Sequence, residues 1–330
     1  MTAEFSDPWL ATYSDPQFLL VSFFLSAAGL ALFSAFIRAW LTRNELGARY
    51  RSVSISRIGA TGIAFLSYAG MVAQTRLGYD LSGTLHVPNE GATDSFALRF
   101  LSWSVAIPLV TSAFVAVCAL SGKVARRTTL LLCFLSFGMV LTAYIGAFVV
   151  EGDKNPGEVI AWGIASLIFF FSTIVVAIVG VQRSTSALTP AAARLLRNAL
   201  WLLVGGLSIY PIVYLLQICT TGGAWSAAIQ VVFSTADIIV LVGVGEFIHQ
   251  VAKLRTAEDV RAGIDVHPEA IWISSVKMSD AGRPPEVYLD ERAQVHDRRP
   301  KPPMASAMAL EAEEYPESTS EDDFPTDVRV

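Results

Sequence analysis

Charge is what this sequence has least of. Only 16% of its 330 residues are Asp, Glu, Lys or Arg, 53% are hydrophobic, and the mean hydropathy is +0.50. Soluble domains carry about 25% charged residues, so a freely soluble globular protein is excluded. Cysteine is also scarce. Cys118, Cys133 and Cys219 are odd in number and have no second Cys or His at ligand spacing. That excludes a disulfide framework and a zinc centre, and the three read as small buried hydrophobes. His86, His249, His267 and His296 are scattered. There is no glycine-rich phosphate loop, no Ser-His-Asp order and no Asn-x-Ser/Thr acceptor. No enzyme activity, metal site or nucleic-acid partner is expected.

What the chain has instead is long apolar runs. Seven of them, each roughly the 20 residues that a membrane helix needs, cover approximately 18–40, 54–75, 98–120, 128–150, 158–181, 195–217 and 225–249. The first lacks a preceding basic region and a convincing cleavage site, so it reads as a retained helix, not a signal peptide. The expected fold is an all-α, seven-transmembrane-helix bundle with the lipid bilayer as its partner. Basic residues alternate along the connections. Arg38, Arg43, Arg49 and Arg51 mark the first, Lys123, Arg126 and Arg127 the third, Arg183 and Arg194 the fifth, and Lys253 and Arg255 follow the last run. The other connections are acidic or neutral apart from Arg76 and Lys154, and the leading segment carries Glu4, Asp7 and Asp15. The positive-inside rule then places the N-terminus outside and the C-terminus in the cytoplasm.

Three regions follow: an extracellular segment 1–17, a membrane domain 18–250, and a cytoplasmic tail 251–330. Of the connections only the second, about 76–97, has room for structure of its own, and "GTLHVPNEG" suits a small hairpin there. In the tail, "LRTAEDVRAG" continues as a polar helix end and "IDVHPEAIWISSVKM" reads as a short ordered or membrane-touching piece. The closing "EAEEYPESTSEDDFPTD" is acidic and reads as disordered. Ser318, Thr319 and Ser320 each have an acid three residues on, which suits an acid-directed kinase; the plainer reading is a solvated tail.

Ionisable side chains inside a membrane are costly and mark function or pairing. Two stand out. Arg99 lies near the outer start of the third run, and Asp237 lies about three turns into the seventh. Both runs enter from the same side, so the two can meet inside the bundle. Pro108 is expected to break the third helix midway, and Pro211 sits in the sixth. Trp103, Trp162 and the pair Tyr210 and Tyr214 fall on three helices at similar depth. Singly, each of these suits ordinary membrane packing.

Together they carry a resemblance. "LRFLSWSVAIPLV" has an Arg, an aromatic, then Trp, with Pro five residues after the Trp. "SIYPIVY" has Tyr-Pro with an aromatic three residues beyond the Pro, and "DIIVLVGVG" closes the seventh run. With "IAFLSYAGM" and "GMVLTAYIG", these resemble the microbial rhodopsins over residues 18–250, in order and in orientation. The resemblance implies a pocket lined by Trp103, Met139, Trp162, Leu207, Tyr210, Pro211, Tyr214, Asp237 and Leu241. It also implies a former counter-ion region of Arg99, Ser102 and Asp237.

The departures matter as much. In that family retinal is bound through a lysine one turn after the seventh-helix Asp, and here that position is Leu241. A Schiff base needs a primary amine, so no covalent cofactor is expected, and non-covalent retinal is the remaining alternative. The proton acceptor position is Ser102, the donor position falls near Ala113, and the release carboxylate falls near Ile229. The Trp that caps the retinal ring is Leu207, and Tyr214 replaces a frequent Trp. With one carboxylate and the lysine both gone, Arg99 and Asp237 leave a net charge of zero, so Asp237 is expected to serve as the structural partner of Arg99.

Three functions compete. The lysine-less branch of the family in fungi is similar to this chain, including its long tail. That resemblance implies a non-pumping, regulatory, stress-related or chaperone-like protein of the plasma membrane, with a homo-oligomer and a cytoplasmic partner for the tail as open partners. The first alternative is a photoreceptor-like protein that holds retinal or another apolar ligand non-covalently. The second is an ion channel or transporter, to which the absence of an acid chain beyond Asp237 and Glu246 gives little support. The Asp-Arg-Tyr and Asn-Pro-x-x-Tyr motifs of G-protein-coupled receptors are missing.

Overall fold

A long apolar segment in lipid has to satisfy its own backbone, and the α-helix does so within one segment. The computed structural model accordingly contains seven helical spans long and apolar enough to cross a membrane. It describes residues 10–92, 95–150, 156–219 and 222–264; the side chains of 156 and 216–219 are outside the description. The chain divides into two compact units, Met1–Ser274 and Ser275–Val330, and all described residues lie in the first. The segment from 265 onward, with most of the expected ordered piece, the acidic tail and the three candidate phosphorylation sites, lies outside the described residues.

The helices are α1 (Asp15–Leu41), α2 (Arg51–Leu77), α3 (Ser95–Ala116), α4 (Gly122–Tyr144), α5 (Pro156–Thr185) and α6 (Pro190–Cys219). The seventh span joins α7 (Gly223–Asp237), a π-helical segment (Ile238–Val244) and α8 (Gly245–Arg261). Each element begins a few residues before its apolar run. In α1 the start is set by Ser14 at the N-cap, whose N–H donates to the Gln17 side chain at 3.0 Å, with Asp15 in the first turn. The last helix continues to Arg261, through most of the polar helix end expected at "LRTAEDVRAG", and Ile248, Val251, Ala252 and Thr256 along it are all buried.

One expectation is overturned and one is met with an addition. Pro108 does not break α3, which runs unbroken from Ser95 to Ala116. The expected hairpin is formed by β2 (Tyr79–Ser82) and β3 (Leu85–Pro88), turning at Gly83 with φ 66°, a left-handed conformation that favours glycine. A third strand, β1 (Tyr13–Ser14), pairs with the free side of β3, placing Tyr13 opposite His86. The segment before the first span is therefore tied to the second connection. His86 reinforces the tie, 2.8 Å from Asp15 and stacked on Phe18 at 3.9 Å.

Burial is uneven, and the unevenness places the site. α3 and the seventh span are the most enclosed, with 61% and 56% of their apolar windows buried, against 28% for α5. Leu19, Phe23, Leu30, Phe134, Ile168 and Phe171 point outward as a lipid-facing band. The centre of the bundle is thus the contact between α3 and the seventh span.

Candidate functional site

Arg99 and Asp237 meet at that centre. Arg99 is 0% exposed and Asp237 1%, and Nη1 of Arg99 donates to Oδ2 of Asp237 at 2.7 Å. A buried ion pair holds best when its remaining hydrogen-bonding capacity is also filled; here the carboxylate is fully satisfied, while Nε of Arg99 is buried without a partner. Oδ2 accepts a second bond from the Tyr68 hydroxyl at 2.6 Å. Oδ1 accepts from Trp103 Nε1 at 2.6 Å and from the Tyr210 hydroxyl at 2.7 Å. Four donors from α2, α3 and α6 therefore converge on one carboxylate at the end of α7.

The arginine is held as closely. Its Nη1 also donates to the Tyr68 oxygen at 2.5 Å, and Nη2 donates to Gln230 Oε1 at 2.8 Å and Ser234 Oγ at 3.5 Å. Gln230 in turn donates to Ser95 Oγ at 2.9 Å. The guanidinium carbon lies 5.0 Å from the Tyr68 ring and 5.7 Å from the Phe233 ring, where the negative faces of the rings favour a cation. The rings brace one another: Trp103 meets Tyr210 edge-on at 4.6 Å and Phe233 at 5.0 Å.

Beside this network lies a small apolar cavity of about 40 Å³, lined by Phe100, Trp103, Met139, Phe170, Tyr210 and Phe233 among others. Pro211 and Tyr214 also line it; Trp162, Leu207, Asp237 and Leu241 do not. Trp162 turns toward the end of α4, where a Cβ on Gly146 would lie 2.7 Å from its own Cβ. Leu207 is fully buried, and Leu241, at 3% exposure, sits inside the π-helical segment one turn past Asp237. Ser102, Ala113 and Ile229 are buried, and Ser102 lies one turn along α3 from Arg99.

The sequence reading reached Arg99, Asp237, Trp103 and Tyr210, and missed Tyr68, Gln230 and Phe233. Tyr68 is the one tyrosine of the second apolar run and Gln230 the one amide of the seventh. Either could have been found by asking which polar side chains a run contains only once. Phe233 carries no such signal. Among the described residues no cluster of His, Cys, Asp or Glu could hold a metal ion. A smaller, more polar cavity lies toward the β-sheet end, lined by Tyr13, Gln74, Thr75, Ser95 and Gln230 among others.

The chain matches the model of a family described as bacteriorhodopsin-like protein over residues 18–254. Among solved structures it is similar to xanthorhodopsin, described as a light-driven ion pump with dual chromophore. The identity is 25%, covering 76% of this chain and 99% of that one, with a TM-score of 0.70. A thermophilic rhodopsin matches with the same identity, coverage and TM-score. The rhodopsin of Exiguobacterium sibiricum, at 18% identity and a TM-score of 0.61, covers 73% of this chain and 99% of its own, and shares the fold. No curated protein matches the chain at comparable significance.

Proposed function

The chain belongs to the bacteriorhodopsin-like family, the microbial rhodopsins, and from that premise we propose that it is an opsin-related membrane protein that forms no covalent retinal adduct and pumps no ions with light. The observation that carries the reading is the commitment of Asp237. In the family this acid faces a retinal Schiff base one turn further on; here both its oxygens are taken up by Tyr68, Arg99, Trp103 and Tyr210. One turn further on stands Leu241, and the sequence has no lysine from 155 to 252. A leucine has no amine, so the residues present do not fit covalent retinal. Ser102, Ala113 and Ile229 stand where a pump would need ionisable groups.

The ion pair and its aromatic braces tie α2, α3, α6 and the seventh span together as a scaffold. Its role is then regulatory or stress-related in a plasma membrane, as in the lysine-less fungal branch, acting through its surface and its tail, alone or as a homo-oligomer. A second reading is favoured by the cavity: its aromatic lining suits retinal or another apolar ligand held without a covalent bond. Its limited room means that such a ligand has to open it.

The deciding measurement is a visible absorption spectrum with all-trans-retinal added to the wild type and to Leu241→Lys. No visible band is expected for the wild type. A red-shifted, hydroxylamine-resistant band is expected for the variant. A band in the wild type would overturn the reading in favour of the non-covalent one. Absence of a band in both places the function wholly outside the old pocket.

A further inference from the structure

We propose that His249 is a proton sensor that unlatches the α1–α2 loop from the last helix when the compartment facing that end turns acidic. The latch lies at the end of the bundle opposite the β-sheet, far along the seventh span from Asp237. Glu45 of the α1–α2 loop is its centre. Glu45 Oε2 lies 3.2 Å from Nε2 of His249 and 3.0 Å from Nζ of Lys253, both on α8. Burial by itself would raise the pKa of Glu45, but the hydrogen bonds from His249 and Lys253 outweigh it and hold the carboxyl below its usual range. A carboxyl of that kind contributes stability above the ordinary carboxylate range and loses it only as pH falls through the lowered value. Glu45 therefore stays charged near neutral pH, where histidine is the side chain that ordinarily titrates.

The surroundings of His249 decide what a proton would do. The ring is 3% exposed, and the neutral form can give its Nε2 proton to Glu45. A second proton belongs on Nδ1, which is buried and has no hydrogen-bond partner. A charged imidazole is a donor at both nitrogens, so protonation leaves a buried cationic N–H without an acceptor. The groups that face the ring already lean positive. Arg57 of α2 is buried and has its own Nη1 unpartnered, and Lys253 is on the same helix. Glu45 and Glu246 are the carboxylates, and Glu246 is shared between Arg57 at 3.2 Å and Arg38 of α1 at 2.8 Å. On their remaining sides the neighbours Ile248, Val251 and Ala252 join a core with Phe114, Val117 and Cys118 at the end of α3 and Leu196 and Leu200 of α6. Within that closed packing the added charge meets only Glu45, which already serves Lys253, and the new Nδ1 proton meets no acceptor, whereas separation of the loop lets water solvate both.

The rest of the loop is fastened to α8 by weaker contacts that would follow. The backbone N–H of Gly47 donates to Thr256 Oγ1 at 3.2 Å, and the Tyr50 hydroxyl donates to Asp259 at 2.9 Å. Of the loop amides, that of Gly47 is bonded to α8 and reports directly on the closed form, while those of Glu45 and Tyr50 are bonded within the loop to Thr42 and Gly47 and report on its local order.

The test is hydrogen exchange of residues 43–50, read by mass spectrometry on the full-length protein in lipid nanodiscs. Samples at about pH 7.5 and about pH 5.5 bracket the ordinary histidine range, with rates corrected for intrinsic exchange. The wild-type loop is expected to exchange about tenfold faster at the lower pH, the factor of one protonation unit. His249→Gln should be protected equally at both, and Lys253→Gln, which keeps the imidazole, should retain the step. A flat wild-type profile, or a step that survives in His249→Gln, overturns the proposal. If His249→Gln does not give a monodisperse protein, the wild-type midpoint decides. A one-proton step in the histidine range supports the sensor, and a midpoint below about pH 5 assigns the step to a carboxylate and overturns it.

Discussion

At Asp237 each carboxylate oxygen accepts two hydrogen bonds, and none of the four donors can reverse its role without loss. The Trp103 indole and the Arg99 guanidinium are donors only. In Asp237→Asn the new amide NH₂ must point at one pair of these donors, and Arg99 is left as a buried charge without a counter-charge. A broken buried pair of that kind costs about 3–5 kcal/mol. Ser102→Asp adds a carboxylate one turn from Arg99 while leaving the existing pair intact, so its cost should be smaller. Thermal unfolding of the two variants in detergent should rank Asp237→Asn as the less stable, and the opposite order would show that the pair does not hold α3 to the seventh span. Arg99 and Asp237 were legible in the sequence because a charge inside an apolar run has few innocent explanations. Tyr68, which touches both, was passed over because a single tyrosine in a membrane helix has many. Trp162 and Leu207 were assigned to the pocket by resemblance, and neither lines the cavity beside the ion pair.

Helices were the most legible level, since a bilayer demands a fixed length of apolar chain and little else reads that way. What the sequence could not show was how the helices end and bend. Pro108 leaves one backbone carbonyl without its usual donor, yet α3 passes through it, since membrane helices tolerate such gaps when neighbours compensate. The carbonyl without its donor is that of Ser104, one turn back; the Pro108 carbonyl itself accepts from Thr111 Oγ1 at 3.0 Å and lies 3.6 Å from Cys133 Sγ of α4. The π-helical segment Ile238–Val244 has no compositional signature either, and its seat in the bundle depends on one glycine. A Cβ on Gly206 of α6 would lie 2.6 Å from Cγ2 of Val240 and 3.3 Å from Cγ2 of Ile239. Its neighbour Gly205 has nothing within 4 Å. Gly206→Ala should therefore destabilise the protein by about 1–3 kcal/mol through overpacking. Gly205→Ala should be neutral or stabilising by up to about 1 kcal/mol through helix propensity. Paired unfolding measurements check this, and equal effects at the two positions would mean that α6 does not seat the π-helical segment.

For the whole molecule the open question is which end faces which compartment, and it bears on both the scaffold and the latch. The two ends differ in charge. The latch end carries Arg43 and Arg49 in the α1–α2 connection, Lys123, Arg126 and Arg127 in the first turns of α4 and Arg183 in the last turn of α5, while the sheet end carries Asp15, Asp80 and Glu90 with Arg76. Short loops rich in Lys and Arg stay on the cytoplasmic side during insertion, so the latch end should face the cytoplasm and the three-stranded sheet the exterior. Two exposed positions report the sides: Thr84 in the β2–β3 turn and Lys123 at the start of α4. With the three native cysteines replaced, Thr84→Cys should react with a membrane-impermeant thiol reagent on intact cells, and Lys123→Cys only after permeabilisation. The reverse pattern would turn the molecule over. His249 would then answer to the acidity outside the cell, and the chain after α8 would lie outside as well, beyond the reach of the cytoplasmic partners and kinases that an inward-facing tail could meet.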